Sequence, residues 1–330
     1  MSFDALILGA SGYGGGELLR WLMQHPRLGG LKGTARSHAG KPFHAVHPNL
    51  RGLIEGSFEA DPDWAWLAAS QRPVLFSALP HGELASRLAG DEGAWAKLGL
   101  AERLTVVDLS ADFRWKDGWV YGLSEWKPER LAGATRIANP GCFATALQLA
   151  LLPIADLKPG FVAVSAVTGS SGSGAHPSET THHPSRANDF RAYKALAHQH
   201  EAEVLTTLAS ENWTPDLAFT PHSAPLVRGI FATAQMRLDR DLTEAELRAR
   251  FEAAFPGPFV RIVEGSPRVA AVAGSAFADV GFALKGRNLS VMVALDNLGK
   301  GMATQAIQNL NLALGLAPMA GLRSAGPYPG

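Results

Sequence analysis

The sequence predicts an α/β protein of two domains, the first built on an open, mostly parallel sheet. Three observations carry that prediction. Short apolar runs alternate with helical patterns through the N-terminal half. A glycine-rich turn joins the first apolar run to the first helical pattern. The 330 residues exceed what one ordinary core organises.

Composition narrows the class. Apolar residues make up 46% and charged residues 18%, the balance of a soluble globular chain. Lys+Arg and Asp+Glu number 30 each, so the formal net charge is zero and no bulk attraction draws the chain to nucleic acid or an anionic membrane. A single cysteine excludes an intramolecular disulfide and any four-cysteine zinc site. The N-terminus shows no basic segment leading into a signal-type apolar run, and no stretch of about 18 uncharged apolar residues occurs. A cytoplasmic protein is therefore expected.

Phe3 to Leu8 is apolar on both faces and reads as a buried parallel strand. Gly9-Ala-Ser-Gly-Tyr-Gly-Gly-Gly-Glu17 follows, and Leu18, Leu19, Leu22 and Met23 recur at helical spacing. Strand, glycine turn and helix form the context of a dinucleotide site. Gly9 permits the tight turn, Gly12 admits a pyrophosphate, and the helix N-terminus offers unpaired N–H groups to it. The spacing Gly9, Gly12, Gly15 departs from G-x-G-x-x-G, so a strand–helix turn without a ligand stays open as the alternative. A second strand is expected over Leu31 to Thr34. It leads into Ala35-Arg36-Ser37, where many NAD sites carry an acid. A guanidinium and a hydroxyl suit the 2′-phosphate of NADP; a solvated Arg36 is the plainer reading. Val74 to Leu79 and Thr105 to Leu109 read as the third and fourth strands. Their carboxyl ends place His81 and Arg114 as candidates to line a ligand crevice.

Cys142 follows Asn139-Pro-Gly, and Ala144, Leu147, Leu151 and Leu152 behind it mark a helix face. The cysteine thus sits at a helix N-terminus, whose positive dipole end favours a thiolate. The plainer reading of a lone cysteine is a small buried hydrophobe. After an expected strand at Phe161 to Val167, Gly169 to Ala175 is a small-residue loop able to form an anion nest or a flexible turn. His176, His182, His183, His198 and His200 come next, with Glu179, Glu201 and Glu203 near them. No H-E-x-x-H spacing occurs, and no metal is expected. A histidine beside a nucleophilic cysteine serves instead as acid and base.

In the C-terminal part, Gly229 to Leu238, Phe259 to Val263, Ala278 to Leu284 and Leu289 to Leu295 read as strands. Thr243 to Phe255 reads as a helix, opened by a capping box of Thr243 and Glu246. Asp296 to Gly301 precedes a helix reaching about Leu314, with Met302, Ala306, Ile307, Leu310 and Leu314 as its buried stripe. Lys300 at its start meets an anion or points to water. The tail from Gly321 to Gly330 reads as loose or as an extended strap.

Together several motifs resemble one family. Gly9 to Glu17, Ala78-Leu-Pro-His-Gly82, Asp108-Leu-Ser-Ala-Asp-Phe-Arg114, Asn139-Pro-Gly-Cys142, Gly169-Ser-Ser-Gly-Ser-Gly174, His198-Gln-His200 and Asp296-Asn-Leu-Gly-Lys-Gly301 look like the N-acetyl-γ-glutamyl-phosphate reductases of arginine biosynthesis, in order across nearly the whole chain. His47-Pro-Asn-Leu-Arg-Gly52 is similar to the related reductases of lysine biosynthesis, whose substrate rides on an acidic carrier protein. Phe143-Ala144 stands where many members of the arginine family carry Tyr-Pro. The resemblance implies a semialdehyde-dehydrogenase-like fold. Residues 1–141 with 302–330 would form a Rossmann-type NADP-binding domain, and 142–301 a mixed-sheet catalytic and oligomerisation domain. It implies Cys142 as nucleophile and His200 as acid/base. Ser11, Gly12, Tyr13, Gly14, Ala35, Arg36, Ser37 and Asn297 would hold NADP. Arg114, Ser171 and His198 are the candidate substrate contacts. The implied reaction is reduction of an acyl phosphate to an aldehyde, by a homodimer or homotetramer. Acetyl, succinyl and carrier-linked substrates stay open, as does a non-catalytic NADP-binding redox sensor.

Overall fold

The computed structural model describes residues 1–328. The chain forms two compact units, Met1–Pro140 with Met302–Arg323, and Gly141–Gly301 with the tail from Ser324 onward. The tail from Ser324 thus groups with the second unit, not with the first as the resemblance implied.

The first unit contains β1 (Phe3–Leu8), α1 (Tyr13–Leu22), β2 (Leu28–Gly33), α2 (Trp64–Ala69), β3 (Pro73–Ser77), α3 (Glu83–Lys97), β4 (Thr105–Asp108), β5 (Val120–Tyr121) and β6 (Arg136–Ala138). Its six strands run parallel in the order β2-β1-β3-β4-β6-β5. β3 and β4 are buried along their whole length, which explains their unbroken apolar runs. β2 starts at Leu28, earlier than the apolar run suggests, because the pair Gly29-Gly30 dilutes its hydrophobic signal. β3 and β4 end short of Leu79 and Leu109, which already belong to the loops at the sheet's carboxyl edge.

The second unit contains α4 (Cys142–Leu151), β7 (Phe161–Thr168), α5 (His183–Arg186), β8 (Arg191–Ala192), α6 (Gln199–Ala209), β9 (Asp216–Ser223), β10 (Ile230–Arg237), α7 (Glu244–Ala254), β11 (Val260–Ile262), α8 (Val269–Val272), β12 (Ala278–Lys285) and β13 (Asn288–Leu295). The seven-stranded sheet has the order β11-β12-β13-β10-β7-β9-β8. It is mixed: β7 lies parallel to β9 and β11 to β12, and the other pairs are antiparallel. One face is the core side. Ile230, Ala232, Ala234 and Met236 of β10 alternate inward and pack with α4, α6 and α7. The expected capping box opens α7: Thr243 Oγ1 accepts from the Glu246 N–H at 3.2 Å, and Glu246 Oε2 accepts from the Thr243 N–H at 2.7 Å.

The π-helical turn Gly299–Ala303 leads back to the first unit, where α9 (Thr304–Ala313) lies. Ala306, Ile307 and Leu310 are buried as expected, whereas Met302 and Leu314 are only half-buried. α9 also buries Gln305, Gln308, Asn309 and Asn311. These amides have partners: Asn309 Nδ2 donates to Gly122 O at 2.7 Å and Asn139 Oδ1 at 3.0 Å. Lys300 does not point to water. It is fully buried, with Nζ 5.0 Å from the centre of the Phe259 ring. The tail packs rather than hanging loose: Gly321 lies against His25, and Gly326 and Pro327 lie against Ala273 and Gly274. Residues 329 and 330 lie outside the described residues.

Candidate active site

In the first unit the glycine turn sits at the carboxyl edge of the sheet. Gly9 has φ +74°, and a Cβ there would lie 2.7 Å from Ala78 O, so only glycine serves. Gly12 differs. Its φ is −75° and an added Cβ would meet nothing nearer than Gly9 O at 3.7 Å, so neither backbone nor packing calls for glycine. A bare backbone at the N-cap of α1 leaves room for a pyrophosphate beside the first-turn N–H groups, and the turn fits a dinucleotide. Ala10 N–H donates to Thr34 O at 2.9 Å, tying this turn to the end of β2. Arg36 and Ser37 start a 3-10 turn there. The Arg36 side chain is 76% exposed and its Nη2 lies 3.5 Å from Asp61, an acid the sequence reading did not anticipate. Ser37 Oγ lies 2.9 Å from His38 Nδ1.

The loops after β3 and β4 are laced together. His81 Nδ1 accepts from Ala111 N–H at 2.9 Å, and Asp112 Oδ1 accepts from Gly82 N–H at 2.6 Å. Asp108, at the end of β4, is fully buried and accepts from both the N–H and the hydroxyl of Ser110. Burial pushes its carboxyl up to about 6. Arg114 Nε donates to Asn139 O at 2.9 Å and Nη2 to Leu109 O at 3.4 Å, so the guanidinium clasps the ends of β4 and β6.

In the second unit Gly141 is the N-cap of α4 and Cys142 its first residue. Cys142 is half-buried, whereas every following residue of α4 is buried. Cys142 packs against the edge of the apolar core and keeps part of its surface exposed. Gly141 N–H donates to Glu203 Oε1 at 2.9 Å, and Gly141 O accepts from Thr145 N–H at 2.8 Å. A Cβ on Gly141 would collide with His200 Nε2, and one on Gly301 would lie 2.8 Å from Cys142 Cβ. The imidazole of His200 thus rests on the residue that precedes the cysteine.

His198 and His200 separate cleanly. His198 is the N-cap of α6, its Nδ1 accepting from His200 N–H at 3.2 Å. The rings of Phe143 and Phe219 each lie 5.5 Å from it, and that of Tyr193 5.9 Å. Burial pushes His198 down to about 4, so it is neutral near pH 7, with its proton on Nε2. Tyr193 is pushed upward by burial and by the nearby Cys142.

Ser171 and Asn297 also come together. Asn297 Nδ2 donates to Ser171 Oγ at 3.0 Å and its Oδ1 accepts from Gly229 N–H at 2.7 Å. Of the two readings open for Gly169 to Gly174, the anion nest is not offered by its amides. The N–H groups of Gly169, Ser170 and Ser171 donate to Gly229 O, Leu226 O and Val227 O, and those of Gly172 and Gly174 bond within the loop. Asp296, buried beside Asn297, holds Arg228 and the N–H groups of Leu298 and Gly299. Among the described residues no cluster of three or more His, Cys, Asp or Glu side chains is placed to hold a metal ion. Nor, among them, is any helix long and apolar enough to cross a membrane.

Glu203 is the site residue that sequence reasoning missed. In the sequence it is one of three glutamates near the histidines, and it stands three residues beyond His200 on α6, one helical turn along the same face.

Two family models match the chain: the semialdehyde dehydrogenase NAD-binding domain over residues 4–134, and the semialdehyde dehydrogenase dimerisation domain over 142–297. The N-acetyl-γ-glutamyl-phosphate reductase of Methanothrix thermoacetophila is 38% identical over 99% of both chains. The chain belongs to the N-acetyl-γ-glutamyl-phosphate reductase family. A [LysW]-L-2-aminoadipate/[LysW]-L-glutamate phosphate reductase of Saccharolobus solfataricus is 39% identical over 96% of both chains. The fold is that of the semialdehyde dehydrogenases: aspartate semialdehyde dehydrogenase II of Vibrio cholerae superposes with a TM-score of 0.74 at 19% identity, covering 96% of this chain and 99% of that one. As a member of this reductase family the protein is an oxidoreductase of amino-acid biosynthesis with a nicotinamide-binding domain, which sets aside the non-catalytic sensor. The dimerisation-domain match supports an oligomer. That match begins at Cys142 and ends at Asn297, and the glycine turn and Arg36 fall inside the NAD-binding match.

Proposed function

We propose that this protein reduces N-acetyl-γ-glutamyl phosphate to N-acetylglutamate 5-semialdehyde and phosphate, using NADPH and a thioester on Cys142. The observation that carries the reading is the half-buried Cys142 at the first position of α4, with the His200 imidazole seated on Gly141. The α4 dipole favours the thiolate. The thiolate attacks the acyl carbon, the S–C bond forms, and the C–O bond to phosphate breaks. NADPH, when bound, supplies the hydride that turns the thioester into a thiohemiacetal. His200, protonated, gives the thiohemiacetal oxygen its proton and takes the same proton back as the C–S bond breaks and Cys142 leaves as thiolate.

Ser11, Gly12, Tyr13 and Gly14 would hold the pyrophosphate, and Ala35, Arg36 and Ser37 the 2′-phosphate, with Asn297 a further contact. Arg114, Ser171 and His198 are the substrate-contacting candidates. The Arg114 guanidinium brings a positive charge that suits a substrate anion, and neutral His198 offers Nε2–H as a donor.

Cys142→Ser should lower turnover by about 10³-fold or more while NADPH affinity stays within about twofold. Near-normal turnover in that variant would defeat the covalent scheme. Arg36→Ala should cut the NADP-over-NAD preference about tenfold, read from kcat/KM with each cofactor; an unchanged ratio removes Arg36 from the cofactor site. The equal likeness to the LysW-linked reductase supports a second reading, an aminoadipyl or glutamyl phosphate carried on that protein. Phosphate-dependent oxidation of N-acetyl-, N-succinyl- and carrier-linked semialdehydes, compared side by side, separates the two.

A further inference from the structure

We propose that Arg186 is a carboxylate-binding site that recognises the free carboxylate of the substrate acid, the one remote from the reacting acyl group; this rests on the reaction proposed above.

Arg186 ends α5, and only 9% of its surface is exposed. Its Nη1 donates to Ser223 Oγ and its Nη2 to Ala224 O at 2.6 Å. Both partners are neutral oxygens. Its Nε is buried and makes no hydrogen bond among the described residues. The acid close in sequence, Asp189, is paired with Arg191. A guanidinium taken out of water without a counter-charge is costly, and an anion arriving with a substrate relieves that cost. The unbonded Nε–H lies on the edge of the guanidinium by which arginine takes a planar carboxylate.

The location matches the chemistry. Ser223 closes β9, in register with Thr168 of the parallel strand β7 and with Arg191 of β8. Ala224 N–H donates to Thr168 O at 3.3 Å, and the next turn of β7 bonds to Leu226 and Val227 through Ser170 and Ser171. Arg186 therefore hangs at the same strand ends as Ser171. Tyr193, directly after β8, is bonded to β9 as well, its N–H donating to Pro221 O at 3.0 Å. Burial pushes the Tyr193 phenol upward, and the charges of Cys142 and Arg186 both act on it, in opposite senses. The proposal places the activated acyl carbon of the substrate at the Cys142 sulfur and its other carboxylate at Arg186.

The test compares phosphate-dependent oxidation of N-acetylglutamate 5-semialdehyde with that of its α-carboxamide, in wild type, Arg186→Gln and Arg186→Lys. Wild type should prefer the carboxylate by about 10²-fold in kcat/KM, because the carboxamide leaves a buried charge unmatched. In Arg186→Gln that preference should fall to within about threefold, mostly through KM. Arg186→Lys, which keeps charge but loses the fork, should lie between, and it carries the test if Arg186→Gln fails to fold. A preference that survives in the variants overturns the proposal. So does a retained preference with a raised KM for phosphate, which assigns the guanidinium to the leaving group. If wild type oxidises neither aldehyde, the N-acetyl substrate reading is wrong, and calorimetric titration of N-acetylglutamate still reads the site. Binding weakened about tenfold or more in Arg186→Gln supports it; equal or absent binding sinks it.

Discussion

The position of the sulfur depends on residues that do no chemistry of their own. Gly141 N–H is held by Glu203, and the Gly141 Cα faces His200, so one α6 face sets both the turn before Cys142 and the imidazole above it. Glu203→Ala leaves a buried N–H without its acceptor and should lower stability by about 1–3 kcal/mol. It should also lower kcat by more than tenfold with little change in KM, because the turn and not the substrate is disturbed. Glu203→Gln keeps an acceptor and should recover most of the loss in thermal unfolding. Equal damage from both variants would mean that charge, not the hydrogen bond, matters. Cys142 was legible in the sequence because Pro140 and Gly141 break regular structure directly before a helical pattern. Glu203 was not. In the sequence it is only one of three glutamates near the histidines, and tertiary folding alone brings Gly141 to it. His198 and His200 were legible as a pair, but their difference lies in capping geometry that spacing does not encode.

At the scale of elements, legibility followed how strongly each segment buries itself. β10, β12 and β13 alternate or run apolar, and their expected spans match the structure within a residue or so. β9 went unread. Its inward residues Leu217, Phe219 and Pro221 keep the two-residue period, but Pro221 speaks against a strand. Proline is tolerated there because β8 is only two residues long and the Pro221 carbonyl still accepts from Tyr193. α7 was read from its capping box, and that box is where it is most vulnerable. Thr243→Ala removes the acceptor for the Glu246 N–H and should cost about 1 kcal/mol, visible as a lower urea midpoint with an unchanged m-value. Thr243→Ser keeps the hydroxyl and should be nearly neutral; a comparable loss in both would place the effect in the threonine methyl instead of the cap.

Across the whole molecule, the return of α9 to the first unit escapes any reading of periodicity, because periodicity is local while this association is made in space. The two units also answer differently to pH. In the second unit, burial holds His198 near 4 against 6.5 for an ordinary histidine. Its unfolded form binds the proton first, so this contribution is complete above pH 6.5 and is lost as pH falls toward 4, by roughly 3 kcal/mol. In the first unit, burial lowers His25 and His47 in the same sense. Asp108 opposes them there. Its carboxyl is raised from 3.8 to about 6, so its contribution is complete below pH 3.8 and is lost as pH rises through 6. Asp108→Asn removes that opposition. The variant should gain stability over wild type progressively between about pH 4 and 6, by roughly 2–3 kcal/mol, and hold the gain at pH 7. Amide hydrogen exchange read separately in β4 and β10 should show the gain in β4 alone, since Asp108 belongs to the first unit. Parallel profiles for variant and wild type in β4 would show that Ser110 and the surrounding loop already neutralise the cost of burying that charge.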